Sequence, residues 1–151
     1  MVDITAKEPS HRRAVAWCRV RLGPGAAEAL RSDRTVLEGV RMAGLQAAKR
    51  TSSLIPLCHP LPLGEVTVDL GIEADALEIS VTAETWARTG VEMEALTACA
   101  LAGLALIDLC DPTGAMIESV ALLEKSGGRS GAWAAGPGRR PGHDGSDGSG
   151  S

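Results

Sequence analysis

Residues 89–108 read TGVEMEALTACALAGLALID, and this stretch decides the fold. From Ala95 to Ile107 it holds Ala, Leu, Thr, Cys, Gly and Ile, without proline and with apolar side chains on every side of a helical wheel. Thr89-Gly90-Val91-Glu92 in front of it matches a capping box, in which a hydroxyl and a carboxylate satisfy free amides of a first turn. A helix over about 89–108 is predicted. A helix that is apolar all round is covered on several sides, by the rest of its domain or by another subunit.

Working outward, residues 117–123 form a last strand, and 65–70 with 76–83 form a hairpin around Gly71 and Asp75. Upstream, Ala14 to Leu22 reads as a strand ending at Gly23-Pro24. A short helix follows over Ala26 to Arg31, with Pro24 in its first turn, where a missing amide hydrogen costs nothing. A second helix spans Leu37 to Arg50 and ends on Lys49 and Arg50. Between that helix and the hairpin, Pro56, Pro60 and Pro62 exclude a long helix or a central strand over 52–63 and predict a rigid extended loop. Strands interleaved with helices in this order give an α+β domain with helices layered on one face of a mainly antiparallel sheet.

The chain has 151 residues, 44% hydrophobic, which suits one domain. Its apolar content is mostly Ala, Leu and Val, with no Phe or Tyr and only Trp17, Trp86 and Trp133 as aromatics, so the core is built from small and branched side chains. The net charge of -4 argues against a nucleic-acid surface, so any anionic ligand needs a local basic pocket. No apolar run reaches the ~20 residues a membrane helix needs, and acidic Asp3 and Glu8 stand where a signal peptide would be apolar, so a cytoplasmic location is expected. Cys18, Cys58, Cys99 and Cys110 lack paired metal-ligand spacing and read as buried free thiols; no metal or cofactor is expected. The domain is expected to run over 1–133. Residues 134–151 form a Gly/Ser/Pro-rich tail expected to be disordered, because it has too little apolar surface to offset the entropy of ordering.

Several residues carry candidate chemistry. His59, between Cys58 and Pro60 in a stiff loop, presents an imidazole at low entropic cost, as a general acid, base or phosphate donor, or else is a hydrogen-bonded loop histidine. Glu92 reads as the capping partner of Thr89. Glu94 escapes that explanation and is suited to act as a base or to bind a guanine-like N–H edge, or is a solvated glutamate favoured by the helix dipole. Asp108 interrupts Leu106-Ile107 and Leu109-Cys110, where burial would need a partner or a purpose. Glu94 and Asp108 lie on one helix but ~21 Å apart along its axis, so a site that uses both must combine two subunits. Lys125-Ser126-Gly127-Gly128-Arg129-Ser130-Gly131 supplies amides, hydroxyls and two cations, as a phosphate cradle requires, or is a flexible exit to the tail.

Five blocks in the same order resemble the signature of the cyclic pyranopterin monophosphate synthase family, molybdenum cofactor biosynthesis protein C. They are 1–7, 43–51, 54–61, 88–97 and 125–131, and the resemblance runs from Met1 to about Trp133. It implies a ferredoxin-like α+β fold and a homohexamer built as a trimer of dimers with active sites at subunit interfaces. The implied substrate is the 3',8-cyclised dihydro-GTP made by a radical-SAM GTP cyclase, converted to the cyclic pyranopterin phosphate with release of pyrophosphate. By position, Asp108, His59 and Glu94 match catalytic residues. Leu57, Cys58, His59, Met93 and Glu94 match substrate-binding residues, with Lys49, Arg50, Lys125 and Arg129 as further contacts. The family's lysine after the Asp-x-Cys motif is replaced here by Asp111, and a second lysine aligns near Asp33-Arg34-Thr35. These replacements define a second reading, a noncatalytic paralogue acting as a nucleotide-binding or regulatory subunit.

Overall fold

A computed structural model describes residues 1–110 and 113–136. The elements are β1 (Ser10–Arg21), α1 (Ala26–Ser32), α2 (Arg34–Lys49), α3 (Thr51–Leu54), β2 (Glu65–Ile72), β3 (Ala76–Ala87), α4 (Glu92–Leu109), β4 (Met116–Ser126) and β5 (Trp133–Ala134). The strands form one antiparallel sheet in the order β2-β3-β1-β4-β5. This is the ferredoxin-like arrangement: two strand–helix–strand units interleave, and the first strand of each, β1 and β3, lie side by side.

Alternation along β1 and β3 builds the core. Ala14, Ala16, Cys18 and Val20 of β1 and Leu77, Ile79, Val81 and Ala83 of β3 are fully buried against Val40, Ala98, Ala102 and Leu106 of the helices. Full burial of a Leu or Ile is worth about 1.5–3 kcal/mol, so these positions carry much of the stability. Small residues set the layer spacing. A Cβ on Gly103 of α4 would lie 3.1 Å from Cys18 Sγ and 3.2 Å from Val20 Cγ2 and Ile117 Cδ1. On the other face of the sheet, arginines of β1 meet carboxylates of neighbouring strands, as in Arg13–Glu84 at 3.2 Å and Arg19–Glu118 at 3.0 Å.

Several predicted boundaries move. β1 starts at Ser10 rather than Ala14, because β3 continues to Ala87 and supplies partners for Ser10, His11 and Arg12. Pro24 precedes α1 instead of entering it; Gly25, at φ 78°, is the N-cap. α2 begins at Arg34, where the Asp33 side chain accepts from Val36 N. The proline loop begins later than expected, since 51–54 form a turn of helix held by Thr51 Oγ1 donating to Ala47 O at 3.1 Å. α4 begins at Glu92 with Val91 as N-cap and no side-chain cap, so the predicted capping box of Thr89 and Glu92 does not form. Strand β5 was not predicted: Trp133 and Ala134 pair with Lys125 and Glu124, so Ala134 belongs to the sheet rather than to the tail. The part of the tail from 137 onward lies outside the described residues.

Candidate active site

The loop after α3 carries Leu57, Cys58 and His59. Cys58 N donates to Ile55 O at 3.1 Å, and the loop is tied back to β3 by Thr85 Oγ1 donating to Pro62 O and by Gly64 N donating to Glu84 O at 2.9 Å. Three prolines and these anchors fix the loop without regular structure. Leu57 is exposed, while Cys58 and His59 are half-buried. The N-terminal segment runs past the loop, where Ile4 lines a cleft with Pro60 and Pro62, and the pKa of the Asp3 carboxyl is lowered chiefly by its hydrogen bonds with Thr5.

The start of α4 faces the same place. Glu94 is 4% exposed, and burial raises the pKa of its carboxyl, partly opposed by a backbone amide and reinforced by the charge of Glu92. The Cys58 thiol is raised by burial and then by the charge of Glu94, so the loop lies within electrostatic reach of the start of α4. Glu92 turns elsewhere. Its carboxylate meets Lys125 Nζ at 3.3 Å and closes on Gly90, whose missing Cβ leaves room for it. One carboxylate is therefore paired with a cation, while its neighbour is buried and has no ion pair among the described residues.

Past Lys125 the chain turns on Gly127 and Gly128, at φ 98° and 70°. A Cβ on Gly127 would overlap the carbonyl of His11, so the turn needs glycine for space as well as for conformation. Arg129 and Ser130 are exposed on this turn. Lys49 and Arg50 are exposed at the C-terminal end of α2, and α3, which follows them, packs on α4. An open apolar cleft of about 280 Å³ adjoins this end of the molecule, lined by Ile4, Pro60, Pro62, Trp86, Arg88 and Thr89.

Asp108 stands elsewhere. α2 and α4 run antiparallel, with Gly39 against Leu109 and Gly44 against Ala98 and Ala102. The Cys110 thiol, raised by burial, is raised further by Asp33, so the C-terminal end of α4 lies beside the start of α2. Asp108 is exposed there, so the cost of burying it among its apolar neighbours does not arise; the helix turns it outward. Arg34 is at this same end, and Asp111 lies outside the described residues. The structure thus gathers Cys58, His59, Glu92, Glu94 and Lys125 at one end of the helix pair and leaves Asp108 at the other. Sequence reasoning missed the Glu92–Lys125 pair, because nothing local links residues that distant in the chain.

The four cysteines are free, and Cys18 and Cys99 are fully buried, with the Cys18 thiol pushed up to about 12 by desolvation. Cys58 and Cys110 are only partly buried, short of the expectation. Among the described residues no group of three or more His, Cys, Asp or Glu is placed to hold a metal ion. No helix of the described residues is long and apolar enough to cross a membrane.

Residues 1–128 match the MoaC family. A cyclic pyranopterin monophosphate synthase of Thermomicrobium roseum is 50% identical over 141 residues, covering 88% of this chain and 85% of the relative. One of Novosphingobium aromaticivorans is 45% identical over 141 residues, covering 89% and 90%. One of Streptomyces avermitilis is 46% identical over 139 residues, covering 88% and 82%.

Proposed function

The chain belongs to the MoaC family, and from that premise we propose that it is the lyase of molybdenum-cofactor biosynthesis that makes cyclic pyranopterin monophosphate from 3',8-cyclised dihydro-GTP. Forming the cyclic phosphate requires a hydroxyl of the substrate to attack the α-phosphorus while the bond to pyrophosphate breaks. A site for this reaction needs a proton acceptor and donor near the ring, and cations or amides for the leaving pyrophosphate.

Cys58, His59, Met93 and Glu94 contact the ring portion of the substrate. Glu94 does so as a carboxyl that burial holds neutral to higher pH than usual, so it can donate as well as accept. Glu92 pairs with Lys125. The 125–131 turn, with Lys125 and Arg129, takes the phosphates, aided by Lys49 and Arg50 at the end of α2. Asp108 enters from a neighbouring subunit, since its own chain holds it ~21 Å along the helix from Glu94. Interface sites of this kind make the oligomer obligate, in line with a hexamer built as a trimer of dimers. The exposed apolar side chains Met93, Leu104 and Leu109 on α4 suit burial in such an assembly. A radical-SAM GTP cyclase supplies the substrate in the cytoplasm.

The observation that carries this reading is the buried Glu94 beside the Cys58-His59 loop, in a chain up to 50% identical to relatives named as the synthase. A noncatalytic paralogue finds no support in those relatives. The test is to give the purified protein the cyclised dihydro-GTP and quantify pyrophosphate and pterin against a buffer blank. Both products should form in equal amounts; a folded oligomer that forms neither defeats the assignment.

A further inference from the structure

Alternation along β3 sends Thr85 and Ala87 toward the helices and turns Trp86, between them, to the other face of the sheet, where it is 68% exposed. Both neighbours are anchored: Thr85 Oγ1 donates to Pro62 O, and Ala87 pairs with Ser10 of β1. The indole therefore stands on a fixed backbone. An aromatic ring of this size left open forgoes the free energy of burial unless something outside the chain covers it.

Its surroundings are equally apolar. Ile4 of the N-terminal segment and Pro60, Leu61 and Pro62 of the proline loop line the same cleft. Prolines carry no amide hydrogen, so these walls read the shape of a ligand and not its hydrogen-bonding pattern. Arg88 is the one charged residue of the lining, exposed and without an ion pair among the described residues, so the cleft favours an anion. Its volume of about 280 Å³ is just under the roughly 300–1,000 Å³ that holds a whole drug-sized ligand, and suits one flat ring system with the charged groups left outside. The cleft also adjoins the candidate site along the chain: His59 directly precedes Pro60, and Thr89 leads through Val91 into the turn of α4 that carries Glu94.

We infer that Trp86 is the floor of a stacking site for the guanine-type ring of the substrate, with the proline loop as its wall. The π face of an indole accepts any flat ring, and the polar groups at the edge of the cleft then choose among rings. The inference rests on the reading that places the ring at the Cys58-His59 loop. Trp86 acts as a binding residue and takes no part in proton transfer.

The test is titration of the intact oligomer with guanosine 5'-monophosphate, followed by calorimetry and by tryptophan fluorescence. Trp17 is buried and Trp133 is 40% exposed, so the nucleotide should quench Trp86 above all, and Trp133→Phe should keep the response. In calorimetry Trp86→Ala should weaken binding about five- to 150-fold, the worth of one base stacked on an aromatic ring, while Trp86→Phe should stay within about three-fold of wild type. Both variants alter an exposed side chain and should melt with wild type. In turnover Trp86→Ala should raise KM more than it lowers kcat, because the platform holds ground state and transition state alike. No binding by wild type, or equal binding by wild type and Trp86→Ala, overturns the stacking site; a smaller oligomer in Trp86→Ala would then assign the cleft to a side chain of the neighbouring subunit. Trp86-dependent binding without turnover of the cyclised nucleotide would instead defeat the synthase reading and leave the stacking site standing.

Discussion

Glu94 and Asp108 stand at opposite ends of α4, ~21 Å apart along the helix axis, the first buried under the proline loop and the second exposed beside the start of α2. No motion of a rigid helix brings both to one small substrate. Glu94→Gln and Asp108→Asn should each abolish turnover while leaving the oligomer intact by size-exclusion chromatography. Mixed subunits should then complement: if each site takes Glu94 from one chain and Asp108 from the other, random re-pairing restores about a quarter of the sites. Activity that stays at zero after unfolding and refolding the two variants together would defeat the shared site.

Burial raises the Glu94 carboxyl above the ordinary glutamate range, so the folded state holds its proton to higher pH than the unfolded chain. Between the two pKa values the native state binds more protons, and stability falls as pH rises through this window. Glu94→Gln removes the ionisation. The variant should melt above wild type at pH 7.5, with the difference closing toward pH 4. Melting curves at the two values check this, and a constant offset between them would contradict it.

Glu92 and Lys125 are each about a third exposed, so their pair adds only ~0.2–1 kcal/mol to stability. Its effect on activity should be far larger. Lys125→Met should lower kcat/KM more than about ten-fold while shifting the urea midpoint little, because the change frees Glu92 beside Glu94 and removes a cation from the turn. Parallel losses of stability and activity would make the pair purely structural.

A Cβ on Gly103 would sit slightly too close to Cys18, Val20 and Ile117, and nothing larger than a methyl fits there. Gly103→Leu should cost ~1–3 kcal/mol or more by overpacking, read from urea unfolding. Gly103→Ala should be close to neutral, since its gain in helix propensity of ~1 kcal/mol opposes a contact that is only slightly short.

Leu104 is 52% exposed in the single chain, on a helix with almost no polar face. Leu104→Glu should shift the protein to a smaller species in sedimentation, with loss of turnover. An unchanged sedimentation coefficient would place the subunit contact elsewhere.

Much of the fold is legible in the sequence because it is written in short-range patterns. Alternation in 76–83, the apolar run of 95–107 and the prolines at 56, 60 and 62 each specify local structure without reference to distant residues. The ordered motifs also placed His59, Glu94 and the 125–131 turn in one chemistry. Local pattern failed at the capping box, where Glu92 forgoes Thr89 because Lys125, 33 residues away, offers a full charge.

The sequence by itself determined the order and kind of the main elements and the residue types that carry the chemistry. The tertiary structure alone decided that Glu94 is buried and Asp108 exposed, and that Lys125 answers Glu92. The reason is physical: burial and charge pairing depend on which surfaces meet when β3, β1 and β4 align, and those contacts join residues tens of positions apart.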